Sequence, residues 1–130
     1  MNKSNLQLMA DHIKNIPQEM FNMKNYRRKN NQEEINCNSV GCVIGHCVQL
    51  DPDPENIPRD GYFETIHFYD WSLTFTNIDN ENEWSWCFDS SWEKTDNTPT
   101  GASKRIEYLI NHGLPDDWKK QMNGITKLSY

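Results

Sequence analysis

Cysteine is scarce in this chain of 130 residues, four in all, and glycine and proline number six each. Four thiols do not suggest the disulfide framework of a small secreted domain. Basic charge is also short, with 13 Lys and Arg against 19 Asp and Glu and a formal net charge of -6. That sign is wrong for a protein that tracks a phosphate backbone, so direct nucleic-acid binding is not expected. Long apolar runs are missing: no stretch approaches a membrane span, and residues 1–17 break every apolar pair with Asn, Gln, Asp or His, leaving no signal-peptide core. The expectation is a cytoplasmic protein with reduced thiols and no membrane contact. Several catalytic signatures are absent too. The sequence has no Gly-rich phosphate loop after a strand, no Ser in a nucleophile elbow and no His-Glu-x-x-His.

What is present suits one compact domain over 1–130, without repeats, since a chain of this length buries about two-thirds of its unfolded surface. Ser4-Asn5-Leu6-Gln7 reads as a capping box, and Leu6, Met9, Ala10, Ile13 and Ile16 form a helical stripe ended by Pro17. Residues 17–23 add a short turn that folds Met20, Phe21 and Met23 back on the core, and 24–36 read as a loop. A run of small and apolar residues over 39–50 follows, with Ser39 as a plausible N-cap and Asp51-Pro52-Asp53-Pro54 as a breaker. It predicts a buried helix whose Gly41, Cys42, Gly45 and Cys47 admit close neighbours, clasped by aromatics from 84–92 and by a helix over 98–112. Residues 59–70 lean to helix, 71–77 fit either period, and 77–83 read as an exposed connection. Thr98 caps and Pro99 opens the clearest helix, with Ala102, Ile106, Leu109 and Ile110 on its stripe and Gly113 as its stop. Pro115-Asp116-Asp117-Trp118 starts one more short helix, acidic at its start. The fold class expected is mainly α, with an α+β fold carrying a small sheet from residues 62–92 as the alternative.

The nearest thing to a metal site is Cys37, Cys42 and His46. Cys42 and His46 lie four apart and share a helical face, as two zinc ligands on a helix must, with Cys37 just upstream. Cys47 points about 100° away from His46. The spacing is not that of a zinc finger or ribbon, and reduced cysteine as a small core residue is the plainer reading. No metal or cofactor is therefore expected, with zinc as the alternative. A thiol nucleophile, with His46 or His67 as base for Cys42, Cys47 or Cys87, is the catalytic version. Nothing in the sequence brings such a pair together, and no catalytic residue is assigned. His112 is explained by the negative end of its helix, and the acidic pairs Asp51/Asp53, Glu81/Glu83 and Asp116/Asp117 by solvated loops and helix starts. Five tryptophans, Trp71, Trp84, Trp86, Trp92 and Trp118, are more than a polar chain needs for a core. Trp84 and Trp86, two apart, cannot face the same side of a helix, which leaves one available to a partner or a stacked base. Trp84, Trp86, Trp92 and Arg105 are the candidate binding residues.

In order of features the chain resembles a family of small uncharacterised proteins of bacteriophages and bacterial genomes. The resemblance rests on Phe21-Asn22-Met23, on Cys37-Asn38-Ser39-Val40-Gly41-Cys42-Val43-Ile44-Gly45-His46 against a Cys-Gly-Thr-x-Gly-Cys-x-x-Gly-His motif, on the tryptophan-rich stretch, and on the Asp96-Asn97-Thr98-Pro99 helix ending in His112-Gly113. It covers nearly the whole chain and departs from the pattern at Asn38 and in the extra Cys47. It implies a compact, mostly helical protein of phage or prophage type and assigns no activity or catalytic residue. The functional reading adopted is a non-enzymatic accessory protein in the host cytoplasm that acts by stoichiometric binding to a host or defence protein. Two alternatives stand beside it: sequestration of a small nucleotide-like signal between tryptophans and Arg105 or the basic run 24–29, and a zinc-stabilised module.

Overall fold

The computed structural model describes residues 1–24, 42–57 and 65–130. Among them lie six α-helices: α1 (Lys3–Ile13), α2 (Val43–Cys47), α3 (Thr65–Thr76), α4 (Glu81–Phe88), α5 (Pro99–His112) and α6 (Trp118–Met122), with short 3-10 turns between them. The fold is mainly α, and the described residues hold no strand. The small sheet considered over 62–92 is overturned, because 65–76 and 81–88 within that span are helical. Phe68, Trp71, Ser72, Phe75 and Thr76 are buried, a spacing of three and four that only a helix turns to one side. Two of those positions are polar, so the stripe is hidden from a hydrophobicity pattern. Ser72 and Thr76 satisfy their hydroxyls by donating to the carbonyls of Tyr69 and Ser72, each at 2.6 Å.

The centre of the fold is the pair α1 and α5. Leu6, Met9, Ala10 and Ile13 of α1 face Ala102, Ser103, Ile106 and Leu109 of α5, all buried. Small residues let the backbones approach, and the Ser103 hydroxyl donates to the Ala10 carbonyl at 2.8 Å. The cap of α1 is Asn2, whose side chain accepts from the Asn5 amide at 3.0 Å, so the helix starts one residue before the expected Ser4 cap. The Asn2 amide donates to the Thr76 carbonyl and the Asn5 side chain to the Phe75 carbonyl, which ties the start of α1 to the end of α3. After Pro17 a 3-10 turn over Gln18–Met20 returns Phe21 and Met23 to the core as expected.

The small-residue helix is shorter than the expected 39–50. It runs Val43–Cys47 from an extended Cys42 and continues as a 3-10 turn over Val48–Leu50. Ser39, Gly41, Cys37 and residues 25–36 lie outside the described residues. Cys42, Gly45 and Cys47 are buried as predicted, but the main neighbours of α2 are α1 and α3, not the aromatics of 84–92 or α5. Those aromatics are engaged elsewhere: Trp86 packs on Trp92, Tyr108 and Tyr130 beside α5. Residues 81–83, expected in a connection, form the first turn of α4. Asn80 caps that turn by accepting from the Asn82 and Glu83 amides. The Asn80-x-x-Glu83 pattern is a sequence signal for that start.

The α5 start follows its sequence closely. Thr98 accepts from the Gly101 amide at 3.0 Å and donates to the Asp96 carboxylate at 2.6 Å, and Gly113 ends the helix at a φ of 77°. The Asp96 side chain lies directly against Gly101, where a Cβ would overlap its carboxylate. Gly101→Ala is therefore expected to lower stability by about 2 kcal/mol, although alanine is the better helix former. Urea unfolding of the two proteins measures it, and equal midpoints would mean that Asp96 moves aside freely.

Candidate functional site

Burial sorts the candidate binding residues into two groups. Trp86, Trp92 and Arg105 have no exposed surface. They form a closed cluster: the Trp86 indole donates to the Arg105 carbonyl at 2.9 Å, and the Trp92 indole to the Trp86 carbonyl at 2.8 Å. The Arg105 guanidinium lies 4.0 Å over the Trp92 ring and donates to the Tyr130 hydroxyl at 2.8 Å, with the Asp96 carboxylate at 3.5 Å. Burial pulls Arg105 below the usual guanidinium range, against the Tyr130 hydroxyl and the Asp96 carboxylate, which favour its charge. As surface residues for a partner or a ligand base, these three are corrected to core. Their place follows from α5, where Arg105 falls on the buried stripe between Ala102 and Ile106.

Trp84 is the candidate that remains at the surface, half-buried on the side of α4 away from Trp86. Its indole donates to the Ser72 hydroxyl at 2.8 Å, and its ring meets Tyr69 and Phe88 edge-on with centroids 5.0 and 5.8 Å away. The indole edge is thereby satisfied and the ring is fixed. Beside it opens a groove of about 500 Å³ between α4 and α6, with Tyr69, Trp84, Trp118 and Met122 as its apolar wall. Glu81, Asn82, Ser85, Asp89, Ser91, Lys119 and Asn123 also line it. Asp89 is held at the start of the following turn, where its carboxylate accepts from the Ser91 amide at 2.7 Å.

The C-terminal segment secures the α6 wall. Buried Gln121 donates to the Asp117 carboxylate at 2.6 Å and the Ser129 hydroxyl at 2.7 Å, and accepts from the Ser129 amide at 2.9 Å. Thr126 also donates to the Asp117 carboxylate, at 2.7 Å. The hydrogen bonds from Thr126 and Gln121 hold the Asp117 carboxyl below its usual range. Sequence reasoning placed Trp118 among five tryptophans but did not connect Tyr69, Trp118 or Lys119 with Trp84. No local pattern links Trp84 with Tyr69, 15 positions before it, or with Trp118, 34 positions after it; the packing of Tyr69 of α3 and of α6 beside α4 does.

The proposed zinc ligands do not form a described site. His46 places Nε2 2.6 Å from the Met20 carbonyl, which can only accept, so that nitrogen carries a proton and is spent on the contact. The ring stacks on Phe21 at 6.5 Å between centroids. Cys42 is buried and Cys37 lies outside the described residues; among those described, no group of three or more His, Cys, Asp or Glu is arranged to hold a metal.

The described thiols, Cys42, Cys47 and Cys87, are buried in the core. Burial pushes Cys42 up to about 11, and raises Cys47 and Cys87 above the ordinary thiol range as well. Iodoacetamide on the native protein is expected to leave Cys42, Cys47 and Cys87 unmodified over a time in which the urea-unfolded chain is fully labelled. Peptide mass spectrometry reads it site by site, and rapid native labelling of any of the three would restore it as a nucleophile candidate.

Among the described residues, no helix is long and apolar enough to cross a membrane. Comparison of the chain with protein-family models, curated proteins and solved structures finds no match.

Proposed function

We propose that the protein is a phage-type accessory protein that works without chemistry of its own, by stoichiometric binding of a host or defence protein through the groove between α4 and α6. The observation that carries this reading is a fixed, half-buried Trp84 beside Tyr69 and Trp118 in an open groove. Tryptophan and tyrosine supply large contact area for little loss of side-chain freedom, and they dominate the energetics of protein interfaces. Trp84 loses least of all, since its indole is already tied to Ser72.

The test has two stages. Native mass spectrometry of the purified protein is expected to give the bare chain mass; an added mass lost on denaturation would instead favour a sequestered nucleotide-like ligand or zinc, according to its size. Ser85→Trp then fills the groove from a half-exposed position on α4. The tagged wild type is expected to retain a partner from host extract that Ser85→Trp loses while keeping the wild-type circular dichroism. Equal capture by both proteins would remove the groove as the binding surface.

A further inference from the structure

We infer that the groove receives the guanidinium of an arginine side chain, presented by a basic segment of the partner protein; the inference rests on the binding reading above. Charge is the first ground. Among the described residues, Glu81 and Asp89 line the groove against Lys119, two carboxylates to one ammonium, in a chain of formal net charge -6. A phosphate would meet net repulsion there and a cation net attraction.

The walls supply the second ground. A guanidinium is planar and weakly hydrated, and it stacks on aromatic faces while its edge donates to carboxylates. Tyr69, Trp84 and Trp118 provide the aromatic surface. The Trp84 indole donor is already used, so that side chain offers the groove π surface without a competing N–H. Asp89 offers a carboxylate already oriented by the Ser91 amide.

The protein's own interior shows the same set of groups at work. Arg105 lies 4.0 Å over Trp92 and 5.5 Å over Tyr130, with the Asp96 carboxylate 3.5 Å from its Nη1. The groove assembles tryptophan, tyrosine and carboxylate again, at the surface, with no arginine among the described residues that line it.

Calorimetric titration tests the inference with a short peptide carrying two arginines spaced by glycine, its neutral citrulline counterpart, and adenosine monophosphate. The arginine peptide is expected to bind one to one, more weakly as salt rises, and the citrulline peptide to lose most of that affinity. Glu81→Gln is expected to weaken arginine-peptide binding about three-fold and Lys119→Gln to tighten it by a similar factor. Those opposite signs separate charge recognition from a general disturbance of the fold. No binding of the arginine peptide at millimolar concentration, equal binding of the citrulline peptide, or preference for adenosine monophosphate would each overturn the inference. If the host partner is lost by Ser85→Trp while the arginine peptide does not bind, only the guanidinium is wrong. A partner that survives Ser85→Trp removes the binding reading itself.

Discussion

Asp96→Ala is expected to destabilise the protein by about 3 to 5 kcal/mol, because it leaves a fully buried cation without its counter-charge. The Arg105 side chain has no exposure, and the Asp96 carboxylate at 3.5 Å is its charged partner. Two of its nitrogens, Nε and Nη2, are buried without a hydrogen-bond partner, so the guanidinium depends on few compensating contacts: Nη1 to the Asp96 carbonyl and the Tyr130 hydroxyl, and the faces of Trp92 and Tyr130. Asp96 also accepts from the Thr98 and Tyr130 hydroxyls, which lose an acceptor in the same substitution.

The same unpaired nitrogens predict a contrast. Arg105→Met removes the fully buried charge while keeping much of the stem that fills the space, and leaves Asp96 partly exposed and still accepting from the Thr98 and Tyr130 hydroxyls, so it is expected to cost less than Asp96→Ala. The double variant Asp96→Ala with Arg105→Met is then expected to be more stable than Asp96→Ala alone. Urea unfolding of the four proteins forms a double-mutant cycle that isolates the coupling. Asp96→Ala costing under about 1 kcal/mol would mean that the aromatic faces alone hold the guanidinium.

Trp86→Ala is expected to cost about 3 to 5 kcal/mol, the loss for an aromatic side chain removed from a packed core. Trp86 has no exposure; its ring lies 5.4 Å from Trp92, 6.1 Å from Tyr108 and 5.9 Å from Tyr130, and its indole holds the Arg105 carbonyl. It joins α4, the following turn, α5 and the C-terminal tyrosine, so these elements are expected to loosen together. Trp118→Ala, from the half-buried groove wall, is expected to cost about 1 kcal/mol and to keep the fold while weakening the binding proposed for the groove. Thermal unfolding of both variants separates the roles, and a Trp86→Ala no less stable than Trp118→Ala would place the core elsewhere.

Helix α5 was legible in the sequence because each of its signals is local: Thr98 as cap, Pro99 in the first turn, an apolar stripe, and Gly113 at a positive φ. Helix α1 was legible for the same reason, with the cap displaced to Asn2 because two nearby side chains, Asn2 and Ser4, suit that role. Helix α3 was ambiguous from Trp71 onward, since Ser72 and Thr76 fill buried positions with hydroxyls that bond back to their own helix. The start of α4 reads as a connection from sequence because Glu81 and Asn82 are polar and exposed, although Asn80 and Glu83 form a capping pattern.

A mainly helical chain and the two-sidedness of Trp84 and Trp86 follow from local order, since helical periodicity and capping depend on residues within a few positions of one another. That Trp86, Trp92 and Arg105 are interior, and that Trp84 shares a groove with Tyr69 and Trp118, follows from how the helices pack. A tryptophan carries the same ring and the same N–H whether it serves a core or a surface. Which of these it serves depends on the helix that packs over it, and the helices here that cover Trp86 and flank Trp84 come from distant parts of the chain.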